Sequence, residues 1–107
     1  MGRISMQEKV REFIEEYALS CNEKIRYIDL VSEIGELGKE ILRQTDYGEK
    51  HYQVNERSVE EMGDCLFSIL ALCCEMNINA DDALNYAMNK YKKRYISTGT
   101  ISSNGKE

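Results

Sequence analysis

Apolar residues recur along most of this chain at spacings of three and four, the interval at which side chains share one face of an α-helix. In residues 5–20 the stripe is Val10, Phe13, Ile14, Tyr17 and Ala18, and Ser5 and Glu8 have the spacing of a capping box ahead of it. Residues 23–44 carry Leu30, Ile34, Leu37 and Ile41 on one face. Residues 58–76 are predicted as a third helix, apolar nearly all round from Met62 to Met76, a pattern expected of a buried helix. A fourth helix is predicted over 79–95. Asp81 and Asp82 lie in its first turn and basic residues near its end, both suited to the helix dipole.

The chain contains no proline, and no Asn-Gly or Asp-Gly turn joins two alternating runs. The pattern therefore predicts an all-α fold, a four-helix bundle formed by residues 1–96 as one domain. Residues 97–107, rich in Ser, Gly and Asn, are expected to be a disordered tail. The polar stretch 45–57, with Gly48 and His51, is long for a connection within a bundle, which marks a functional loop or a further helical turn.

Composition changes this picture in three ways. At 107 residues a single copy buries only a modest core, so a partner copy is expected to complete it. The net charge of -5 argues against nucleic acid or an anionic membrane surface as the main partner, since both reward basic patches. Small phosphate ligands stay open, because metal ions reconcile carboxylates with phosphates. The cysteines, Cys21, Cys65, Cys73 and Cys74, form no C-x-x-C pair and only one histidine is present, which disfavours zinc. They read as reduced core residues. The polar, charged start of the chain is unlike a secretory leader, and the longest apolar run, 65–74, falls far short of a membrane span. A cytoplasmic location is expected.

The chemistry lies in acidic residues. With successive residues about 100° apart on a helical wheel, Glu33 and Glu36 border the apolar stripe of the second predicted helix. Glu61 and Asp64 border that of the third on the same side. If the stripes pack antiparallel, four carboxylates converge at one edge of the core. Such a cluster is costly unless compensated. A divalent cation with oxygen ligands relieves it, and the absence of histidine favours Mg²⁺ or Mn²⁺ over zinc or iron. Two ordinary explanations compete. Ser58 and Glu61 also have capping-box spacing, and Glu33, Glu36 and Glu40 suit a solvated face paired with Lys39 and Arg43. A helical interaction module without catalysis is the corresponding functional alternative.

The run Leu30-x-x-Glu33-Ile34-Gly35-Glu36-Leu37, followed by Glu60-Glu61-Met62-Gly63-Asp64-Cys65-Leu66, resembles the MazG-like all-α nucleoside triphosphate pyrophosphohydrolases, whose signature is E-x-x-E then E-x-x-D. The segment 77–84 and the ending Lys90-Tyr91-Lys92-Lys93-Arg94-Tyr95 resemble the family's turn into its last helix and its basic-aromatic terminus. Met88 stands where many members carry asparagine, and Gly38 where alanine is common. Gly35 and Gly38 together permit close helix approach.

The resemblance implies Mg²⁺-dependent cleavage of a nucleoside triphosphate between its α- and β-phosphates, giving the monophosphate and pyrophosphate. It also implies a homodimer or homotetramer, with sites formed between subunits. The implied metal ligands are Glu33, Glu36, Glu61 and Asp64. Glu36 or Glu40 is the candidate base that orients the attacking water. Lys90, Lys93 and Arg94 are candidates for holding phosphate oxygens, or else form a basic helix terminus favoured by the dipole. His51 and Tyr52 are candidate contacts to base or sugar, against ordinary solvation. Sister activities of the same fold, a dUTPase or a phosphoribosyl-ATP pyrophosphohydrolase, are alternatives of substrate rather than of chemistry.

Overall fold

The structure, a computed structural model, describes residues 4–101. It contains α1 (Met6–Glu16), α2 (Glu23–Gln44), α3 (Glu56–Met76) and α4 (Ala80–Thr98), and no strand among the described residues. The all-α expectation holds. The chain divides into two compact units, one carrying α1 to α3 and the other α4.

Side chains set each helix start. Ser5 caps α1 by accepting from the Glu8 amide, Asn22 caps α2 by accepting from Ile25, and Asn79 caps α4 by accepting from Asp82. At α3 the cap differs from expectation. Asn55 is the N-cap, and its Oδ1 accepts from both the backbone N–H and the hydroxyl of Ser58. The helix thus begins two residues before Ser58, and Ser58 lies in its first turn instead of at its cap. A capping role for Glu61 is thereby removed. α4 continues to Thr98, where Gly99 adopts a left-handed conformation and ends it. Residues 97 and 98, expected to belong to a disordered tail, are therefore helical, and residues 102–107 lie outside the described residues.

In the first unit, α2 and α3 form the principal interface and α1 packs on α3. Glu33, early on α2, faces Glu61 and Asp64, whereas Glu40, later on α2, bonds to Arg57 at the start of α3. The two helices are thus antiparallel. Phe13 meets Phe67 edge-on, with ring centroids 5.8 Å apart, and so seats α1. Arg26, buried on α2, donates from Nη2 to the Leu19 carbonyl. Its Nε lies 3.7 Å from Glu75, which also accepts from the Cys21 amide. This group fastens the α1–α2 connection to the end of α3.

Among the described residues the buried apolar side chains are few: Ile14, Leu30, Leu70 and Ala71. Ile34 and Ile41 of the expected α2 stripe are exposed, as are Phe13 and Tyr17 of α1. Along α3, predicted to be buried on every face, Met62, Leu66, Ile69 and Met76 are also exposed. Two neighbouring helices cannot cover a helix that is apolar all round. Among the described residues nothing approaches Gly35 or Gly38 closely, for a Cβ at either site would meet nothing within 4 Å. All four cysteines are free and half-buried, consistent with reduced thiols. Among the described residues, no helix is long and apolar enough to cross a membrane.

The α2–α3 connection is built by side-chain hydrogen bonds. The Thr45 hydroxyl donates to the Ile41 carbonyl and accepts from the Gly48 amide, and the Gln53 amide donates to the Gln44 side chain. Between these anchors Asp46, Tyr47 and Gly48 have consecutive positive φ values of 52°, 57° and 91°. Only the glycine adopts that region without steric cost.

Candidate metal centre

The geometry of α2 against α3 brings three of the four predicted ligands together. One carboxylate oxygen each from Glu33, Glu61 and Asp64 lies within 4.8 Å of the others. Glu33 and Glu61 are half-buried and Asp64 is exposed, so the cluster sits at the edge of the interface. Partial burial, then the charges of Asp64, Glu61, Glu36 and Asp29, push the Glu33 carboxyl above its ordinary range. Carboxylates that resist one another's ionisation are the condition that a cation relieves. With three oxygen donors and no histidine, the set fits a hard divalent ion such as Mg²⁺ or Mn²⁺. Burial, followed by the charges of Glu33, Asp64 and Glu61, raises the pKa of the neighbouring Cys65 thiol in the metal-free protein.

Glu36 is outside this close group. It lines a cavity of about 200 Å³ with Lys39, Glu40, Arg43, Arg57 and Glu61. Glu36 and Glu61 thus both face the space beside the cluster, which suits a group that contacts bound water or shares a second ion.

Glu40 has quite different surroundings. Its side chain is only 2% exposed, although it lies one turn from Glu36. Its Oε1 accepts from Arg43 Nη2 at 2.7 Å, from Arg43 Nε at 3.2 Å and from Arg57 Nε at 3.2 Å. The Arg43 hydrogen bond, opposed by burial and reinforced by the charges of Arg43 and Arg57, holds this carboxyl below the usual range. A carboxylate so stabilised is a weak base. Its Oε2 is buried without a hydrogen-bond partner. Arg57 and Asn55 were not singled out by sequence reasoning. Their signal was the spacing: Arg57 lies four residues before Glu61, as Glu40 lies four after Glu36.

On α4, Lys90, Lys93 and Arg94 share one face and line a cavity of about 430 Å³ with Tyr86, Asn89 and Ser97. Lys90 and Arg94 both approach the Tyr91 ring, at 5.6 and 5.8 Å from its centroid. His51 and Tyr52 lie exposed on the α2–α3 connection.

Two antiparallel helices thus present an oxygen-only acidic cluster at the edge of their interface in an all-α protein. The comparison with known proteins is more specific. Residues 20–97 match the model of the MazG nucleotide pyrophosphohydrolase domain, and the chain belongs to that family. It is 34% identical over 80 residues to the uncharacterized protein YpjD of Bacillus subtilis (strain 168), a match covering 72% of this chain and 70% of that protein. No solved structure matches the chain significantly.

Proposed function

We propose that the protein is a Mg²⁺-dependent nucleoside triphosphate pyrophosphohydrolase, cleaving (d)NTPs between the α- and β-phosphates to (d)NMP and pyrophosphate. The observation that carries this reading is the convergence of Glu33, Glu61 and Asp64 across two helices of a chain in the MazG family.

In this reading Glu33, Glu61 and Asp64 hold the ion, with Glu36 as the fourth ligand or as the ligand of a second ion. Mg²⁺, or Mn²⁺ in its place, supplies charge neutralisation of the triphosphate and a bound water of lowered pKa. Glu36, facing the cavity beside the cluster, would orient the attacking water and take its proton through an oxygen not used on metal. Glu40 is the poorer choice for that role, because both arginines already hold its charged form. Lys90, Lys93 and Arg94 are proposed to hold phosphate oxygens through charge-assisted hydrogen bonds.

The proposed assembly is a homodimer or homotetramer. Support comes from the exposed apolar residues along the α2–α3 pair, among them Ile28, 64% exposed, Ile34, Met62 and Leu66. The proposed setting is the cytoplasm and the proposed service is removal of unwanted nucleotides from the precursor pool. A panel of ordinary and modified (d)NTPs with Mg²⁺, followed for monophosphate and pyrophosphate, tests the activity. Release of orthophosphate would refute α–β cleavage, and a monomer by analytical ultracentrifugation would refute the assembly.

A further inference from the structure

The antiparallel helices carry a charged ladder. Glu33 faces Asp64 within the cluster, Glu36 and Glu61 face one cavity, and Glu40 is bonded to Arg57. The steps match: three residues from Glu33 to Glu36 against three from Asp64 to Glu61, then four from Glu36 to Glu40 against four from Glu61 to Arg57. Within the cluster like charges therefore face each other, and their repulsion opposes the α2–α3 packing in the absence of a cation, while Glu36 and Glu61 share their cavity with Lys39 and Arg43. The third rung has opposite charges, and its acidic member is buried. Asn55 secures the same end, because it caps α3 and bears on Glu40 as well. Arg43, three residues from Glu40 on the same helix, fills the remaining side of Oε1 but spans no interface.

We propose that Glu40 and Arg57 are positioning residues, a clamp that fixes the register of α2 against α3 and so holds the metal-binding carboxylates at ligand distance before the ion binds. This role rests on the metal-centre reading above and adds to it a pair that touches neither ion nor substrate.

The clamp makes a prediction opposite in sign to simple electrostatics. Arg57 is a cation one turn from Glu61, so by charge alone its removal tightens binding of a divalent ion. By position, its removal loosens binding. Mn²⁺ affinity, read by electron paramagnetic resonance of the free ion in the whole protein without nucleotide, separates the two. Arg57→Gln is expected to weaken Mn²⁺ binding about ten-fold or more, the range seen when groups supporting metal ligands are lost. Arg57→Lys, which keeps a cation in reach of Glu40, is expected to stay within about three-fold of the wild type. The double variant Glu40→Gln/Arg57→Gln keeps the net charge and leaves no buried charge alone, yet is expected to weaken binding like the single variant. It decides the matter if Arg57→Gln alone loses its helical circular dichroism. Unchanged or tighter Mn²⁺ binding in Arg57→Gln or in the double variant overturns the clamp. No Mn²⁺ binding by the wild type overturns the metal-centre reading itself, and the clamp with it.

Discussion

Glu33 and Glu40 lie two turns apart on one helix, and their surroundings drive them in opposite directions. Glu33 is partly buried and meets other carboxylates across the interface, and its pKa is held above the ordinary value of its side chain. Glu40 meets two guanidinium groups, and its pKa is held below that value. The same residue type in the same helix thus becomes a reluctant anion at one site and a committed one at the next. The difference separates a place that attracts a cation from a place that needs none.

The largest expected effect breaks the first site. Glu61→Gln keeps the side-chain shape and removes one metal-binding charge, and is expected to lower kcat by about a thousand-fold or more if the ion carries the chemistry. Helical circular dichroism is expected to be unchanged, since Asn55 caps α3 without help from Glu61. Full activity with saturating Mg²⁺ would remove Glu61 from the metal site. Asp64→Asn sharpens the same contrast. It is expected to weaken Mn²⁺ binding while stabilising the metal-free protein by about 0.5 kcal/mol, because it relieves a repulsion at an exposed position. Urea unfolding with a chelator present checks the second half, and a destabilised variant would contradict it.

Acidification moves the two glutamates in sequence. As pH falls from the raised pKa of Glu33 towards its ordinary 4.5, the folded state takes up the proton first, so Glu33 favours the metal-free fold increasingly in that window. Metal affinity falls across the same window, because a donor is lost. Glu40 contributes stability above its ordinary 4.5 and loses it as pH falls through its lowered pKa. From these two groups, the melting temperature in chelator is expected to rise on mild acidification and fall on stronger acidification. Calorimetry at a series of pH values reads this, and a steady fall from neutrality would contradict the assignment of Glu33.

The smallest effect lies at the turn beyond the clamp. Tyr47 is 78% exposed and held at φ 57°. Tyr47→Gly relieves that conformation at some cost in chain entropy, so a net gain of about 0.5 kcal/mol is expected in urea unfolding. A loss of stability would mean that the ring makes contacts worth more than the strain.

Much of this was legible beforehand, and the exceptions have physical reasons. Repeats of three and four exposed all four helices, and the bounds of α2 agree with the expectation. The convergence of Glu33, Glu61 and Asp64 followed from their matching offsets beside two apolar stripes. The start of α3 was misplaced because Asn55 and Ser58 are both good capping residues, and only the hydrogen bonds show which one caps. Glu40 resembled any solvent-facing partner of Arg43. Its second partner is Arg57, seventeen residues away, signalled in the sequence only by the matched spacing from Glu61. Much of the apolar stripes of α2 and α3 is exposed in the single chain, because periodicity marks apolar faces without saying what covers them.

The turn at Asp46–Gly48 makes α2 and α3 a single αα-hairpin, and the entire acidic cluster belongs to it. Glu33 and Asp64 stand 31 residues apart in sequence, so their meeting closes the whole hairpin. If they meet before the folding barrier is crossed, their repulsion raises it. A divalent ion present during refolding is expected to speed the reaction as well as slow unfolding, so that the ion acts as a folding partner before it serves any chemistry. Refolding rates that are the same with Mg²⁺ and with chelator would place the meeting of the carboxylates after the barrier instead.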